Sequence, residues 1–183
     1  MIAVLAVAVV LAYVRGIYAV LKSDAKPNCL SWVIWACIDV VLIVSSLMAA
    51  ESVSTIVLLL IYMAGAVVIV AVSRKNLSGL NIFERAAVAV ATLSLVGWVV
   101  TGNASVALGL VILAHLCGTI LTLKSVWQVP RSEDWVMWTL FVAGNIANLL
   151  AISWINWQNW LFPVYETAVC VIVTLLALRR KHP

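Results

Sequence analysis

Seven long apolar runs divide the chain, and short polar breaks separate them. The runs are Met1–Leu21, Asn28–Ala49, Val53–Ser73, Phe83–Thr101, Ala104–Leu123, Trp135–Ser153 and Trp160–Leu178. A helix needs about 20 residues to cross a hydrocarbon layer, so the pattern predicts an all-α polytopic membrane protein with seven transmembrane helices. The breaks carry helix-end chemistry. Pro27 suits the first turn of a helix, where its missing N–H costs nothing. Asn81 followed by Glu84 has the spacing of a capping box. Thr101-Gly102-Asn103 stops one helix and caps the next. Ser132-Glu133-Asp134 places a cap and negative charge at a helix start. The first run resembles a signal peptide through Ala6-Val7-Ala8, but it lacks a basic leader and its charges follow the apolar stretch. It reads as an uncleaved span.

Composition agrees and excludes other classes. Of 183 residues, 66% are hydrophobic and only 10% are charged, against about 45–50% and about 25% in soluble domains. A soluble enzyme, a disordered chain and a nucleic-acid-binding module are thereby excluded. Seven spans use roughly 140–150 residues, which leaves no room for a separate soluble domain. Cys29, Cys37, Cys117 and Cys170 lie in apolar stretches without zinc-site spacing and read as packing residues. No nucleophile–base pair, phosphate loop or metal set appears, so neither an enzyme nor a cofactor is expected.

The net charge of +4 is a topology signal. Lys22 and Lys26 follow the first run, Arg74, Lys75 and Arg85 flank the break after the third, Lys124 and Arg131 follow the fifth, and Arg179, Arg180 and Lys181 follow the seventh. The breaks after the second, fourth and sixth runs hold no Lys or Arg. By the positive-inside rule the N-terminus is outside and the C-terminus cytoplasmic. Anionic lipid adds weak attraction. The Asn76 and Asn103 glycosylation sequons are weak signals, and Asn76 faces the cytoplasm in this topology.

The chain also repeats. Residues 12–23 and 114–125 share Ala, Gly, Leu, Lys and Ser at an offset of 102. Beyond them Pro27 pairs with Pro130, Trp32 with Trp135, Trp35 with Trp138 and Tyr62 with Tyr165 at an offset of 103. The expected division is 1–75 as a first three-helix repeat, 76–102 as a linker helix and 103–183 as a second repeat. Three spans invert the chain, and one extra span restores its direction, so the copies are parallel about an axis along the membrane normal. Such repeats place a solute site near the midplane between them.

This layout resembles that of the SWEET sugar facilitators and the wider PQ-loop superfamily, which includes the KDEL receptors and lysosomal amino-acid exporters. The Pnu-type vitamin transporters have a related layout. The resemblance covers nearly the whole chain and rests on Leu21-Lys22-Ser23, Pro27-Asn28, Ser31-Trp32 and Trp35, with Leu121–Pro130 as the second copy. It is closest to small bacterial SWEET-like proteins carrying Lys-Pro-Asn-x-x-Ser-Trp-x-x-Trp, here residues 26–35. The Pro-Gln pair is missing, with Tyr18-Ala19 and Ile120-Leu121 in its places. That departure puts the family's hinge, and its rocking motion, in question.

Polar groups inside spans are the candidate site, because they are costly there. Trp32, Trp35, Asp39 and Ser46 form one stripe of the second run, an aromatic wall with a hydrogen-bonding group. Asp39 reads either as a solute-site group or as a structural group held by a hydroxyl or by His115. In the second repeat Val142 replaces it, and Asn145 and Asn148 return polarity one turn deeper beside Trp138. His115 lies roughly 13 Å before Lys124 at 1.5 Å per residue, near the midplane. It reads as a packed hydrogen-bonding group or as one half of a proton-coupled pair with Asp39. Glu166, next to Tyr165 and one turn after Pro163, is a candidate lining residue. Tyr62 completes the set. Arg15 reads as a snorkelling anchor or as the partner of a carboxylate. Trp127, Trp135, Trp154, Trp157 and Trp160 fit interfacial belts. Only Trp35, Trp138 and Trp98 lie deep.

These residues point to a transporter of a small polar solute, a sugar or a nucleoside- or vitamin-like molecule, working by alternating access as a facilitator. The alternatives are a non-transporting receptor of KDEL-receptor type and a structural subunit of a membrane complex. The partners expected are the solute and the lipid bilayer, with no nucleic acid.

Overall fold

The computed structural model describes residues 2–23, 25–48, 52–74, 80–101, 104–152 and 154–179. Lys75, Asn76, Gly102, Asn103, Ser153, Arg180 and Lys181, which enter the sequence reading above, lie outside the described residues. Seven α-helices run through the described residues: α1 Ile2–Lys22, α2 Cys29–Met48, α3 Val53–Ser73, α4 Ile82–Thr101, α5 Ala104–Gln128, α6 Trp135–Leu149 and α7 Trp157–Leu178. A short 3-10 turn, Pro130–Ser132, lies between α5 and α6. Six of the helices, all but α6, are long and apolar enough to cross a membrane. Large aliphatic side chains stay exposed along them, as on α1 at Val4, Val7, Leu11, Val14 and Leu21. In water such a stripe is unfavourable, and in lipid it is solvated. The chain is an integral membrane protein.

Local sequence caps the starts of three helices. Asn81 N–H donates to Glu84 Oε2 at 3.0 Å, and Glu84 N–H donates to Asn81 Oδ1 at 3.0 Å, a complete capping box at the start of α4. Ser52 Oγ accepts from Thr55 N–H at 3.3 Å and caps α3. Asp134 Oδ1 accepts from Met137 N–H at 2.8 Å and caps α6. Pro27 is buried and lies two residues ahead of α2 rather than inside its first turn. Three helices depart from the apolar runs by three residues or more, and α7 does so by beginning at Trp157 rather than Trp160. The α5 helix continues to Gln128, five residues past Leu123, because Lys124 and Ser125 are compatible with helix and no breaker intervenes before Pro130. The α6 helix stops at Leu149, where the Trp154 indole N–H donates to the Leu149 carbonyl at 3.2 Å. The last carbonyls of a helix need such partners.

The chain packs as two compact units, residues Met1–Asn28 with Thr122–Pro183, and residues Cys29–Leu121. In the first unit α6 packs against both α1 and α7. At Gly144 of α6 a Cβ would lie 3.1 Å from Leu5 Cδ1 of α1, so the small residue permits the close approach. Tyr13 of α1 meets Phe141 of α6 edge-on, with ring centroids 5.2 Å apart. Arg15 forms a two-pronged ion pair with Asp134: Nη2 to Oδ2 at 2.7 Å and Nε to Oδ1 at 3.1 Å. The Arg15 side chain is therefore the partner of a carboxylate. In the second unit α2 packs on α3 and touches α4. Ile38, Ala66 and Ile69 are buried there, and Cys29 Sγ–H points to the Val70 carbonyl at 3.8 Å.

Candidate functional site

In the first unit the polar groups of α6 and α7 meet. Asn145 is buried on the face of α6 toward α7, and its Nδ2 donates to Cys170 Sγ at 3.5 Å. Cys170 Sγ–H points to Glu166 Oε1 at 3.7 Å, one turn back along α7. The result is an amide–thiol–carboxyl chain inside apolar helices. Asn148, half-buried, stands one turn beyond Asn145 on the same face of α6. Tyr165 is half-buried and lies against Phe162, with centroids 6.0 Å apart. The hydroxyls of Thr167 and Thr174 return to carbonyls of their own helix, Pro163 at 2.7 Å and Cys170 at 2.8 Å, and so add no polarity to the cluster. Pro163 lies in the interior of α7, which begins at Trp157.

In the second unit Trp35 and His115 come together. Their rings stack with centroids 5.3 Å apart and planes 21° apart. The Trp35 indole N–H donates to the His115 carbonyl at 3.3 Å. Thr119 Oγ1 lies 3.3 Å from His115 Nδ1 and donates to the His115 carbonyl at 3.1 Å. Trp32 meets Trp35 edge-on at 5.0 Å. The indole of Trp35 passes over Gly118, where a Cβ would lie 2.7 Å from Nε1, so only glycine fits beneath the ring. One face of the predicted aromatic wall is thus covered by imidazole. Asp39, one turn along α2 from Trp35, and Tyr62 on α3 are half-buried.

Trp138 belongs to neither group. It is buried, and its indole N–H donates to Glu133 Oε2 at 2.9 Å. Glu133 is itself buried and accepts a further hydrogen bond from the backbone of Asn28. Burial first, and the Asp134 charge last, push its carboxyl up to about 8, against the lowering by the Trp138 and Asn28 hydrogen bonds. Sequence reading placed Glu133 only as charge at a helix start. The available signal was the adjacent pair: one carboxylate suffices to cap α6, and Asp134 does so, which leaves the other for a separate use.

Two further contacts involve tryptophans. Trp154 stacks on Trp160 at 6.1 Å, and the Arg179 guanidinium lies over the Trp127 ring at 4.4 Å while donating to the Trp127 carbonyl. Trp98 is half-buried on α4. Among the described residues no group of His, Cys, Asp and Glu is placed to hold a metal ion. Comparison with family models, with curated proteins and with solved structures returns no match.

Proposed function

We propose that the chain is a transporter of a small polar solute, a sugar or a nucleoside- or vitamin-like molecule, that works by alternating access on the seven-span, two-repeat plan of the SWEET-like proteins. The observation that carries this reading is the Asn145–Cys170–Glu166 chain. Amide and carboxyl groups at membrane depth are expensive, and they are retained where a polar ligand or pathway uses them. An amide offers both donors and acceptors to a hydroxyl-rich solute. The repeat of Pro, Trp-x-x-Trp and Tyr supports the parallel layout.

In this proposal α6 also spans. Its 15 residues cover about 22 Å at 1.5 Å each, less than the roughly 30 Å of hydrocarbon, and local thinning closes the gap. The N-terminus is outside and the C-terminus cytoplasmic, supported by Lys22, Lys26, Arg74, Lys124 and Arg179 on alternate connections. Cysteine labels at Lys26 and at Ile155 then react from opposite sides of sealed vesicles. Labelling from one side would leave α6 short of a span and end the seven-span plan.

The solute test is a thermal-shift screen of the purified protein against sugars, nucleosides and amino acids. A ligand at 100 times its Kd adds about 2.7 kcal/mol. Asn145→Leu keeps the fold and abolishes the shift given by the ligand found. A stabilising ligand whose shift survives both Asn145→Leu and Glu166→Gln, or the absence of any stabilising ligand together with no solute uptake by vesicles, overturns the proposal.

A further inference from the structure

Residues 25–28, which join α1 to α2, are clasped to the start of α6. Lys26 N–H donates to the Ser132 carbonyl at 3.1 Å, and the Asn28 backbone N–H donates to the Glu133 carboxyl. Ser132 is held in turn by Ser125 Oγ at 3.2 Å from the end of α5. Arg15 and Asp134 tie α1 to the same point. Inside this clasp Glu133 is 3% exposed. Its Oε2 accepts from Trp138, whereas its Oε1 is buried and has no hydrogen-bond partner among the described residues.

A carboxylate oxygen buried without a donor is costly, and a buried carboxyl avoids most of that cost by holding a proton. Oε1 is the oxygen that no described donor faces. The charged groups nearby do not neutralise Glu133. Arg15 is engaged by Asp134, Arg179 lies over Trp127, and Lys22, Lys26 and Arg131 are exposed. Among the described residues the charge that acts on it is that of Asp134, which has the same sign.

We propose that Glu133 is a proton-binding site whose occupancy closes the clasp between the α1–α2 connection and α6, and whose deprotonation opens it. With the proton on Oε1 the side chain is neutral, and Trp138 and Asn28 bridge it to both elements. When the O–H bond breaks, the proton passes to water at that end of the protein. A bare carboxylate is then left beside Asp134, and the clasp opens to hydrate it. Proton binding thereby becomes a co-ligand of the proposed transporter; that use rests on the transport reading, but the protonation itself does not.

The test is infrared titration of the purified protein in lipid, with no solute present. The carbonyl band of a protonated carboxyl is expected at neutral pH and is lost with a midpoint near 8. It is absent from Glu133→Gln, whose amide still accepts from Trp138. Trp138→Phe removes a donor that favours the charged form, so its midpoint moves higher; this variant serves if Glu133→Gln fails to fold. Opening is read by thiol labelling at Ser132→Cys, which accelerates through the same midpoint more steeply than in the Ser132→Cys, Glu133→Gln double variant. Loss of the band in the ordinary carboxylate range overturns the proposal, as does a band unchanged by Glu133→Gln or identical labelling profiles in the two backgrounds. A solute screen without a ligand leaves the titration as it is, so failure of the transport reading is distinguishable from failure of this one.

Discussion

Trp35 and Trp138 each end a Trp-x-x-Trp stretch, yet their indole N–H groups reach different kinds of acceptor. Trp35 donates to a backbone carbonyl, that of His115, and its ring is stacked on the imidazole. Trp138 donates to a side-chain carboxyl, that of Glu133, held in the turn before its own helix. A carbonyl does not titrate, so the contact made by Trp35 is a fixed packing element. A buried carboxyl does titrate, so the contact made by Trp138 changes strength with pH. The same residue type at matched positions therefore builds a rigid joint in one unit and a titratable one in the other.

The largest test of that difference is the pH dependence of stability. The Glu133 carboxyl is raised from 4.5 to about 8 by burial, so the folded protein holds a proton that the unfolded chain releases. Stability present below the unfolded value is lost as pH rises from there until the folded group ionises near 8, at about 1.4 kcal/mol for each pH unit. Melting temperature in detergent should fall across that window in the wild type, and the Glu133→Gln protein should lack this component. Parallel curves for the two proteins would remove the titratable joint.

Next in size is Asp134→Ala, which deletes the α6 cap and strands Arg15. Loss of a cap costs about 1 kcal/mol and loss of a hydrogen bond to a charged group about 1.5–3 kcal/mol. A drop of about 2–4 kcal/mol in the first unit is expected, and Arg15→Gln should reproduce only the ion-pair share. Equal losses in the two variants would show that the cap contributes nothing.

The tryptophan pair gives a smaller, sharper contrast. Trp35→Phe removes a neutral hydrogen bond, worth about 0.5–1.5 kcal/mol at any pH. Trp138→Phe costs a similar amount while Glu133 is protonated and progressively more as pH rises through about 8, toward the 1.5–3 kcal/mol of a bond to a charged group. Denaturation of both variants at two pH values measures the divergence, and its absence would make the two indoles equivalent.

Two glycines separate a crowded from an open position in the second unit. Gly118→Ala places a Cβ 2.7 Å from the rigid Trp35 indole and should cost about 1–3 kcal/mol, with disturbance of the His115 stack visible in tryptophan fluorescence. Gly109 has nothing within 4 Å of such a Cβ, so Gly109→Ala should be neutral or stabilising by up to about 1 kcal/mol. If both were neutral, the Trp35 ring would be free to move and the rigid joint would lose its basis.

By itself the sequence determined what depends on neighbours three or four residues away and on the length of apolar runs. The seven helices, the Asn81–Glu84 box and the Asp134 cap belong here, because hydrogen bonds at helix ends and lipid-length hydrophobicity are local properties. Polarity within a run was equally legible, and Asn145 and Glu166 could be singled out before any contact between them was known. Tertiary structure decided how those residues were used. Arg15 and Asp134 are 119 positions apart, and Asn145 and Cys170 are 25 apart, so no local pattern pairs them. Glu133 shows the division most clearly. A glutamate in a polar break looks solvated, because exposure is the ordinary fate of its type. Glu133 is nonetheless buried, and it accepts from the backbone of Asn28, a partner distant in sequence that the adjacent Glu133-Asp134 pair does not name.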